Sequence, residues 1–254
     1  MLVNPTDQFD EQHFSTSVTI GKRLDNYNTI SGFLEYDRVD ITDYFPYPTV
    51  SPDGIDKFFT LGANFTHDTR DLAEYSANGS LVRGGITKYG FPGKKLDNIR
   101  YSFDVRGFVP LADGVVSASR VAGNLMAGSQ SPSYNHVYIG YDYRVRGHIG
   151  ETTEGESMFG TSTELRFNII QPRYFRANFL PKAFGIWRFA LEFAVFGDAA
   201  VTWFRKDPAA LNNFLAGYGA GFDFLLPYSL VIRTEYARNE SSRGQFILDL
   251  GGAF

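Results

Sequence analysis

The sequence predicts an all-β protein: an antiparallel transmembrane β-barrel of the outer-membrane type with about eleven strands. Apolar and polar residues alternate with a period of two over most of the chain, as in Thr163-Glu164-Leu165-Arg166-Phe167. Turn signals separate these segments, and no amphipathic helical pattern interrupts them. A period of two places apolar side chains on one face of a strand and polar side chains on the other.

The strands are predicted in chain order from this alternation, and the short loops between many of them favour consecutive hairpins. Asn78-Gly79 and Ala112-Asp113-Gly114 are two of the turn signals that set the boundaries. The predicted strands lie near residues 13–24, 29–42, 57–70, 79–91, 98–110, 114–127, 157–170, 188–204, 214–227, 229–239 and 244–254.

Composition excludes several classes of function. With 24 Lys and Arg against 28 Asp and Glu, the net charge is −4, which argues against a nucleic-acid groove. There is no cysteine, and the four histidines lack metal-ligand spacing, so we predict no metal and no cofactor. No sequence motif places a nucleophile at the spacing from a general base that catalysis needs, so we expect no catalytic residues and no enzymatic activity. The mean hydropathy of −0.20 does not exclude a membrane barrel, whose polar face masks its apolar face in an average.

Two architectures fit the alternating strands, a soluble β-sandwich or barrel and a transmembrane barrel. Three features favour the membrane. The predicted strands are long enough to cross a bilayer at a tilt. Charged residues lie on the polar parity inside strands, which suits a water-filled interior. Aromatic residues such as Trp187 and Trp203 lie near strand ends, as in interfacial girdles. The most apolar stretch, 184–204, contains Arg188, Glu192 and Asp198 and is therefore not a membrane helix.

Four motifs, in order along residues 58–254, carry a resemblance to a known family. They are Asp68-Thr69-Arg70-Asp71, a loop with Val145-Arg146-Gly147-His148 before Thr163-Glu164-Leu165-Arg166-Phe167, the strand Phe196-Gly197-Asp198-Ala199-Ala200-Val201-Thr202-Trp203, and the terminal Phe254. This pattern resembles the BamA/TamA superfamily of outer-membrane insertases and translocators, the bacterial surface antigen family.

The resemblance implies that loop 128–156 folds into the barrel and that Arg146 meets Glu164 and Asp198 there. Gly147 would let the loop reverse tightly, whereas His148 replaces the aromatic residue usual in the family and would either pack like it or weaken the anchor. Two plainer readings remain open. Arg146 could be a solvated loop charge, and the two acids could simply hydrate the interior. A structureless connection of 29 residues is itself uncommon unless it is functional or disordered.

Roles are predicted for three further groups of residues. We expect Asp68, Arg70 and Asp71 to form a charged strand end that fixes barrel geometry. The resemblance implies a carboxy-terminal membrane-assembly signal, formed by Phe246, Leu248, Leu250 and Phe254. The alternate glycines of 217–221 have the polar parity of their strand and predict a smooth interior wall beneath the loop.

The family barrel has roughly sixteen strands, so residues 1–254 are expected to be the carboxy-terminal portion of a barrel, either a fragment or one part of a split barrel. The resemblance implies an integral protein of a bacterial-type outer membrane that helps insert or translocate proteins by templating strands. Its expected partners are the lipid bilayer, nascent outer-membrane or secreted proteins, and accessory assembly subunits or a chain that supplies the missing strands; no nucleic acid is expected. The alternatives are a membrane anchor and secretion pore for a passenger, as in two-partner secretion, and a non-functional barrel fragment.

Overall fold

The computed structural model of the protein describes residues 11–41, 49–73, 75–91, 94–176, 185–207, 214–227 and 230–251. Eleven antiparallel strands form one sheet and two short strands form a separate hairpin, which confirms the all-β prediction. The sheet contains β1 (Glu11–Arg23), β2 (Asn28–Ile41), β3 (Ile55–Asp68), β4 (Gly79–Gly90), β5 (Asp97–Ala112), β6 (Val115–Gly128), β9 (Ser157–Arg176), β10 (Ile186–Trp203), β11 (Leu215–Leu225), β12 (Val231–Asn239) and β13 (Gly244–Leu250). The hairpin consists of β7 (Val137–Ile139) and β8 (Thr153–Gly155).

Each strand of the sheet pairs with the next one in the chain, and β6 pairs with β9 across the long loop, which comprises residues 129–156. Within the described ranges, β1 and β13 are the two edges of the sheet. Because successive strands run in opposite directions, the connections alternate between the two ends of the barrel wall. The long loop and the β12–β13 turn lie at one end, called here the long-loop end, and the β3–β4 connection lies at the opposite end.

The two faces of the sheet have opposite polarity, in the orientation predicted for a membrane barrel. On the outer face, the Phe193 ring lies between those of Phe167 and Phe222, with centroid distances of 6.3 and 5.4 Å. Leu248 is 75% exposed, whereas Glu164 on the inner face is 2% exposed. Exposed apolar side chains around buried charges reverse the arrangement of a soluble sandwich and suit a wall surrounded by hydrocarbon.

Most strand boundaries agree with the prediction to within a few residues, and β9 shows the largest difference. The predicted strand ends at residue 170, but β9 continues to Arg176. The extension contains Pro172, although proline cannot donate to a strand ladder. In the structure the β9–β10 register is irregular between Phe189 and Glu192, next to Pro172, and the ladder to β6 stops at Phe167. A bulge and a free strand edge together accommodate the proline.

The long loop has regular structure that the sequence did not predict. It contains a 3-10 turn at Ser133–Asn135 and the β7–β8 hairpin. Its apolar side chains pack on the inner wall in a cluster called here the loop core, which contains Ala122, Val137, Ile139, Tyr143, Val145, Met158 and Ala200. The loop therefore packs on the inner wall through apolar side chains. In the described residues, no helix has the length and apolarity needed to cross a membrane.

Candidate functional site

Arg146 of the long loop lies at the centre of a buried group of charged side chains. Its side chain reaches Asp198 on β10, where Nε and Nη2 donate to Oδ2 and Oδ1 at 2.6 and 2.7 Å. The Arg146 backbone N–H donates to the same carboxylate at 3.1 Å. This two-pronged pairing is the geometry for which a planar guanidinium is suited. Arg146 is 7% exposed, so the reading of a solvated loop charge does not describe it.

Two more carboxylates surround the same guanidinium. Nη1 of Arg146 donates to Oε1 of Glu164 on β9 at 2.5 Å and to Oε1 of Glu235 on β12 at 3.0 Å. A single buried cation does not balance three carboxylates, and an uncompensated buried charge is costly. Further cations are therefore required nearby.

Two arginines from the barrel wall supply them. Arg233 on β12 donates from Nη2 to Glu164 Oε1 at 3.0 Å, also contacts Glu235, and donates from Nε to Asp223 Oδ1 at 3.2 Å. Arg166 on β9 donates to Oε2 of Glu164 at 2.9 Å. All members are at least nine-tenths buried and are called here the charge network: Arg146, Glu164, Arg166, Asp198, Asp223, Arg233 and Glu235.

Strand register places these residues on the inner face in neighbouring rows. Asp198 is opposite Ser162 of β9 and Gly217 of β11, so one row contains an acid, a hydroxyl and a glycine. The Ser162 hydroxyl donates to Asp198 Oδ1 at 2.5 Å. The period of two keeps all three on one face, and the missing side chain at Gly217 leaves room for the loop.

The glycines of β11 allow Arg146 to approach the wall closely. A Cβ atom at Gly217 would lie 1.7 Å from the Arg146 carbonyl oxygen, and one at Gly219 would lie 2.8 Å from the Phe196 ring. That ring faces the guanidinium, with Cζ of Arg146 3.6 Å from its centroid. A cation over an aromatic face gains further stabilisation when both are removed from water. The glycine run thus forms the close-approach wall that its parity predicted.

Gly147 and His148 turn the loop against the long-loop end of β12. Gly147 has φ +95°, and a Cβ there would lie 3.0 Å from the Arg238 carbonyl group, so two constraints require glycine. His148 is buried, and its Nδ1 and Nε2 lie 2.6 and 2.8 Å from carboxylate oxygens of Glu151 and Glu240. Only a doubly protonated ring donates to both carboxylates.

Glu151 and Glu240 also change the pKa of His148. Burial alone would lower the pKa of this imidazole, but the hydrogen bonds to Glu151 and Glu240 outweigh burial and raise the pKa above 6.5. Glu240 is fixed in turn by the Ala216 backbone N–H at 3.2 Å. His148 therefore does not simply replace an aromatic residue, because it adds an ionic contact between the loop and the β12–β13 turn.

The tip of the loop reaches the edge strand β13. The backbone N–H of Ile149 donates to Gln245 Oε1 at 3.0 Å, and Gln245 Nε2 donates back to the Ile149 carbonyl at 3.1 Å. Arg144 lies 3.7 Å from Asp249, although its side chain is largely exposed. The loop thus contacts the inner face of the last described strand as well as the wall.

The strand-end residues build the β3–β4 connection (residues 69–78) at the opposite end. Arg70 donates to both carboxylate oxygens of Asp68 at 2.9 and 2.8 Å. Asp71 accepts hydrogen bonds from the backbone N–H groups of Ala77 and Asn78. The structure brings none of the three to Arg146, and their expected role in fixing barrel geometry remains a prediction.

The residues of the proposed carboxy-terminal signal lie on the outer face of β13. Phe246, Leu248 and Leu250 are 89%, 75% and 68% exposed. Phe254 lies outside the described residues. The three described side chains continue the apolar outer face up to the edge of the sheet, where hydrocarbon would cover them.

Sequence reasoning brought Arg146, Gly147, Glu164 and Asp198 together but missed the rest of the charge network. Arg166, Arg233 and Glu235 share the polar parity of their strands, which was the available signal. In the described residues, no group of three or more His, Asp or Glu is arranged to hold a metal ion. The arrangement fixes a loop to a wall through charge pairs.

Comparisons with known proteins agree with this architecture. Residues 3–254 match the Omp85 superfamily domain. The fold is similar to BamA from Haemophilus ducreyi lacking POTRA domains 1–3, with TM-score 0.66, 16% identity and coverage of 95% of this chain and 53% of that one. It is also similar to CdiB from Acinetobacter baumannii, with TM-score 0.56, 13% identity and coverage of 95% and 42%. The chain thus spans about half the length of these structures. It belongs to the Omp85 superfamily and is an integral β-barrel protein of the bacterial outer membrane.

Proposed function

We propose that residues 1–254 act as one barrel domain that helps insert or translocate proteins at the outer membrane by templating strands, without covalent catalysis. The observation that carries this proposal is the position of β13. It pairs only with β12 within the described ranges, and the long loop is fastened to its inner face through Gln245. A free strand edge presents backbone donors and acceptors that an incoming strand can use. In lipid each unpaired group costs several kcal/mol, so pairing is strongly favoured.

The charge network supports this role by holding the wall next to that edge. Arg146 joins β9, β10 and β12 through Glu164, Asp198 and Glu235. An edge can template a strand only if its own register is fixed, because a slip of one residue reverses the two faces. We infer that nascent outer-membrane or secreted proteins are the partners of this edge. Accessory subunits, or a chain that completes the barrel, would contact the remaining surfaces.

Disulfide crosslinking tests the proposal directly because the chain contains no cysteine. A Leu248→Cys variant in outer-membrane lipid vesicles is mixed with an unfolded barrel protein that carries one cysteine in its last strand. We expect a crosslink at that position, since paired strands bring Cα atoms within disulfide range. Matched controls are Val105→Cys in the middle of the sheet and Val18→Cys on β1, both also on exposed outward positions. Equal crosslinking at all three positions, or crosslinking only at β1, would contradict the assignment to β13.

An export pore for a passenger is the second candidate, and one cleft favours it. A space of about 370 Å³ lies between Tyr143 of the long loop and the wall of β3–β6, lined in part by Arg83, Asp104 and Arg120. Polar walls suit an extended chain in transit. Vesicle swelling with sugars of increasing size distinguishes the two candidates: a pore predicts swelling by the wild-type chain, whereas strand templating predicts none until the loop is released.

A further inference from the structure

The β3–β4 connection reaches into the same interior as the long loop, but from the other end. Three strands separate the two connections in the sheet, so they leave it at opposite ends. Tyr75 of this connection is 7% exposed and packs with Ala190, Leu225 and Val231 of the far wall. A residue from the β3–β4 connection is thus buried against β10, β11 and β12.

Polar contacts fix Tyr75 and its neighbour in place. The Tyr75 hydroxyl donates to Asp223 Oδ2 at 2.6 Å, and this carboxylate is fully buried. The guanidinium carbon of Arg166 lies 4.2 Å from the Tyr75 ring centroid, and Arg166 Nη1 donates to the Ser76 carbonyl at 3.1 Å. The Arg166 guanidinium therefore contacts an aromatic ring and a carbonyl oxygen, and the β3–β4 connection contributes both.

Glu164 connects this connection to the long loop. Its Oε2 accepts from Arg166 Nε and lies 2.8 Å from Nη2, whereas its Oε1 accepts from Arg146 at 2.5 Å. One buried carboxylate thus bridges Arg166 and Arg146, which are held from different ends of the barrel, and its Oε1 also accepts from Arg233 at 3.0 Å. A carboxylate with both oxygens engaged has little rotational freedom, so a change at one oxygen alters the geometry available at the other.

We propose that Tyr75 and Arg166 are positioning residues that set Glu164 for Arg146, so that docking of the long loop depends on the β3–β4 connection. Only the link between loop docking and β13 rests on the proposed function. The coupling between the two connections does not require a substrate. Because coupling between two sites is reciprocal, release of the long loop also loosens the β3–β4 connection. A molecule that binds the β3–β4 connection at one end of the barrel would then change the docking of the long loop at the other end.

Thiol labelling measures the coupling. A Val145→Cys reporter sits at 1% exposure in the loop core and reacts with a bulky maleimide only when the loop undocks, whereas a Tyr141→Cys reporter is exposed in either state. We expect Tyr75→Leu and Arg166→Met each to speed labelling at position 145 about five- to tenfold relative to position 141. Tyr75→Phe keeps the ring beneath Arg166 and should restore most of the protection.

Controls separate coupling from general loosening. Leu72→Ala alters an exposed side chain of the same connection outside the charge network and should leave labelling unchanged. A Ser76→Cys reporter, at 2% exposure, should become labelled by a similar factor when Arg146 is replaced by Met. The proposal fails if folded Tyr75→Leu labels at the wild-type rate, or if Leu72→Ala matches Tyr75→Leu. Loss of crosslinking at β13 with intact coupling would count only against the proposed function.

Discussion

The β1 edge and the β9–β12 wall have the same alternating sequence pattern but very different interiors. All thirteen residues of β1 are exposed, on both faces. In β12, by contrast, residues of the inner face are buried and several of the outer face are exposed. The difference lies in what covers the inner face, because the long loop and Tyr75 pack against β9–β12 and bury their inner face, whereas Tyr134 of the long loop contacts His13 of β1 without burying that strand. Strand pairing alone therefore does not bury the inner face; the inserted connections do.

The buried carboxylates of the β9–β12 wall depend on a cation that the long loop supplies. The charge network contains three arginines and four carboxylates, and Arg146 is the one member contributed by the long loop. Without it, Asp198 would be buried beside Ser162 with no cation within salt-bridge distance in the described residues. Buried charges are tolerated only when paired. The β1 edge has no comparable requirement.

The largest expected effect follows from reversing the central charge. Arg146→Glu places a fourth carboxylate beside Glu164, Asp198 and Glu235, and loss of a buried partner alone costs about 3–5 kcal/mol. We expect a severalfold lower yield of folded barrel after refolding into lipid vesicles, measured as the heat-modifiable band in gel electrophoresis. The double variant Arg146→Glu with Asp198→Arg or Glu164→Arg should recover part of that yield.

Arg144→Glu is the matched control because Arg144 lies in the same loop with an exposed side chain. Surface charges of this kind contribute about 0–1 kcal/mol, so its folded yield should stay near wild type. Wild-type yield for Arg146→Glu would show that the network does not stabilise the wall.

The close approach of the loop to β11 predicts the next largest effect. Gly217→Ala puts a Cβ 1.7 Å from the Arg146 carbonyl oxygen, so loop or strand must move. Overpacking of this kind costs about 1–3 kcal/mol. The urea midpoint of unfolding, followed by Trp187 and Trp203 fluorescence, should fall. Gly197→Ala, where no atom lies within 4 Å of the added Cβ, should leave the midpoint nearly unchanged; equal shifts would refute the close-contact argument.

The same substitution, serine to alanine, can be made in the β9–β12 wall and on the β1 edge to compare the two regions. Ser162→Ala removes a buried hydroxyl that donates to Asp198 and accepts from Arg146 Nη2. The expected cost is about 1 kcal/mol, whereas Ser17→Ala on exposed β1 should change stability by less than about 0.5 kcal/mol. Urea titrations of both variants measure the contrast, and a larger effect at Ser17 would overturn it.

The smallest expected effect is a pH dependence of loop docking through His148. Because its pKa is raised in the folded protein, the protonated ring contributes stability in full below about pH 6.5, and this contribution is lost as the pH rises through the raised value. Labelling of Val145→Cys relative to Tyr141→Cys should therefore increase modestly on the alkaline side. In a His148→Gln background the ratio should not vary with pH; the same variation there would assign it to another group.

The fold was predictable because one physical signal, the period of two, runs through ten or more residues in most strands. The predicted strand end at residue 170 was wrong because a bulge and an open strand edge, both products of neighbouring strands, tolerate Pro172 within the strand. The β7–β8 hairpin escaped prediction because three residues per strand are too few to display a period.

The site was predictable only in part. Glu164 and Asp198 follow from a motif, but the partners of Arg166 and Arg233 depend on strand register and on how deeply two connections enter the barrel. Neither the strand register nor this depth can be predicted from a local sequence pattern. Tyr75 lies in a turn, where no periodicity marks a side chain as buried.

The loop core has a consequence for the order of assembly. A hairpin with two strands of three residues cannot hold itself together in water. Its packing surface exists only once Ala122, Met158 and Ala200 of three neighbouring strands have come into alignment. Loop docking thus requires correctly aligned strands, so a barrel with a slipped register would lack the surface on which the loop packs.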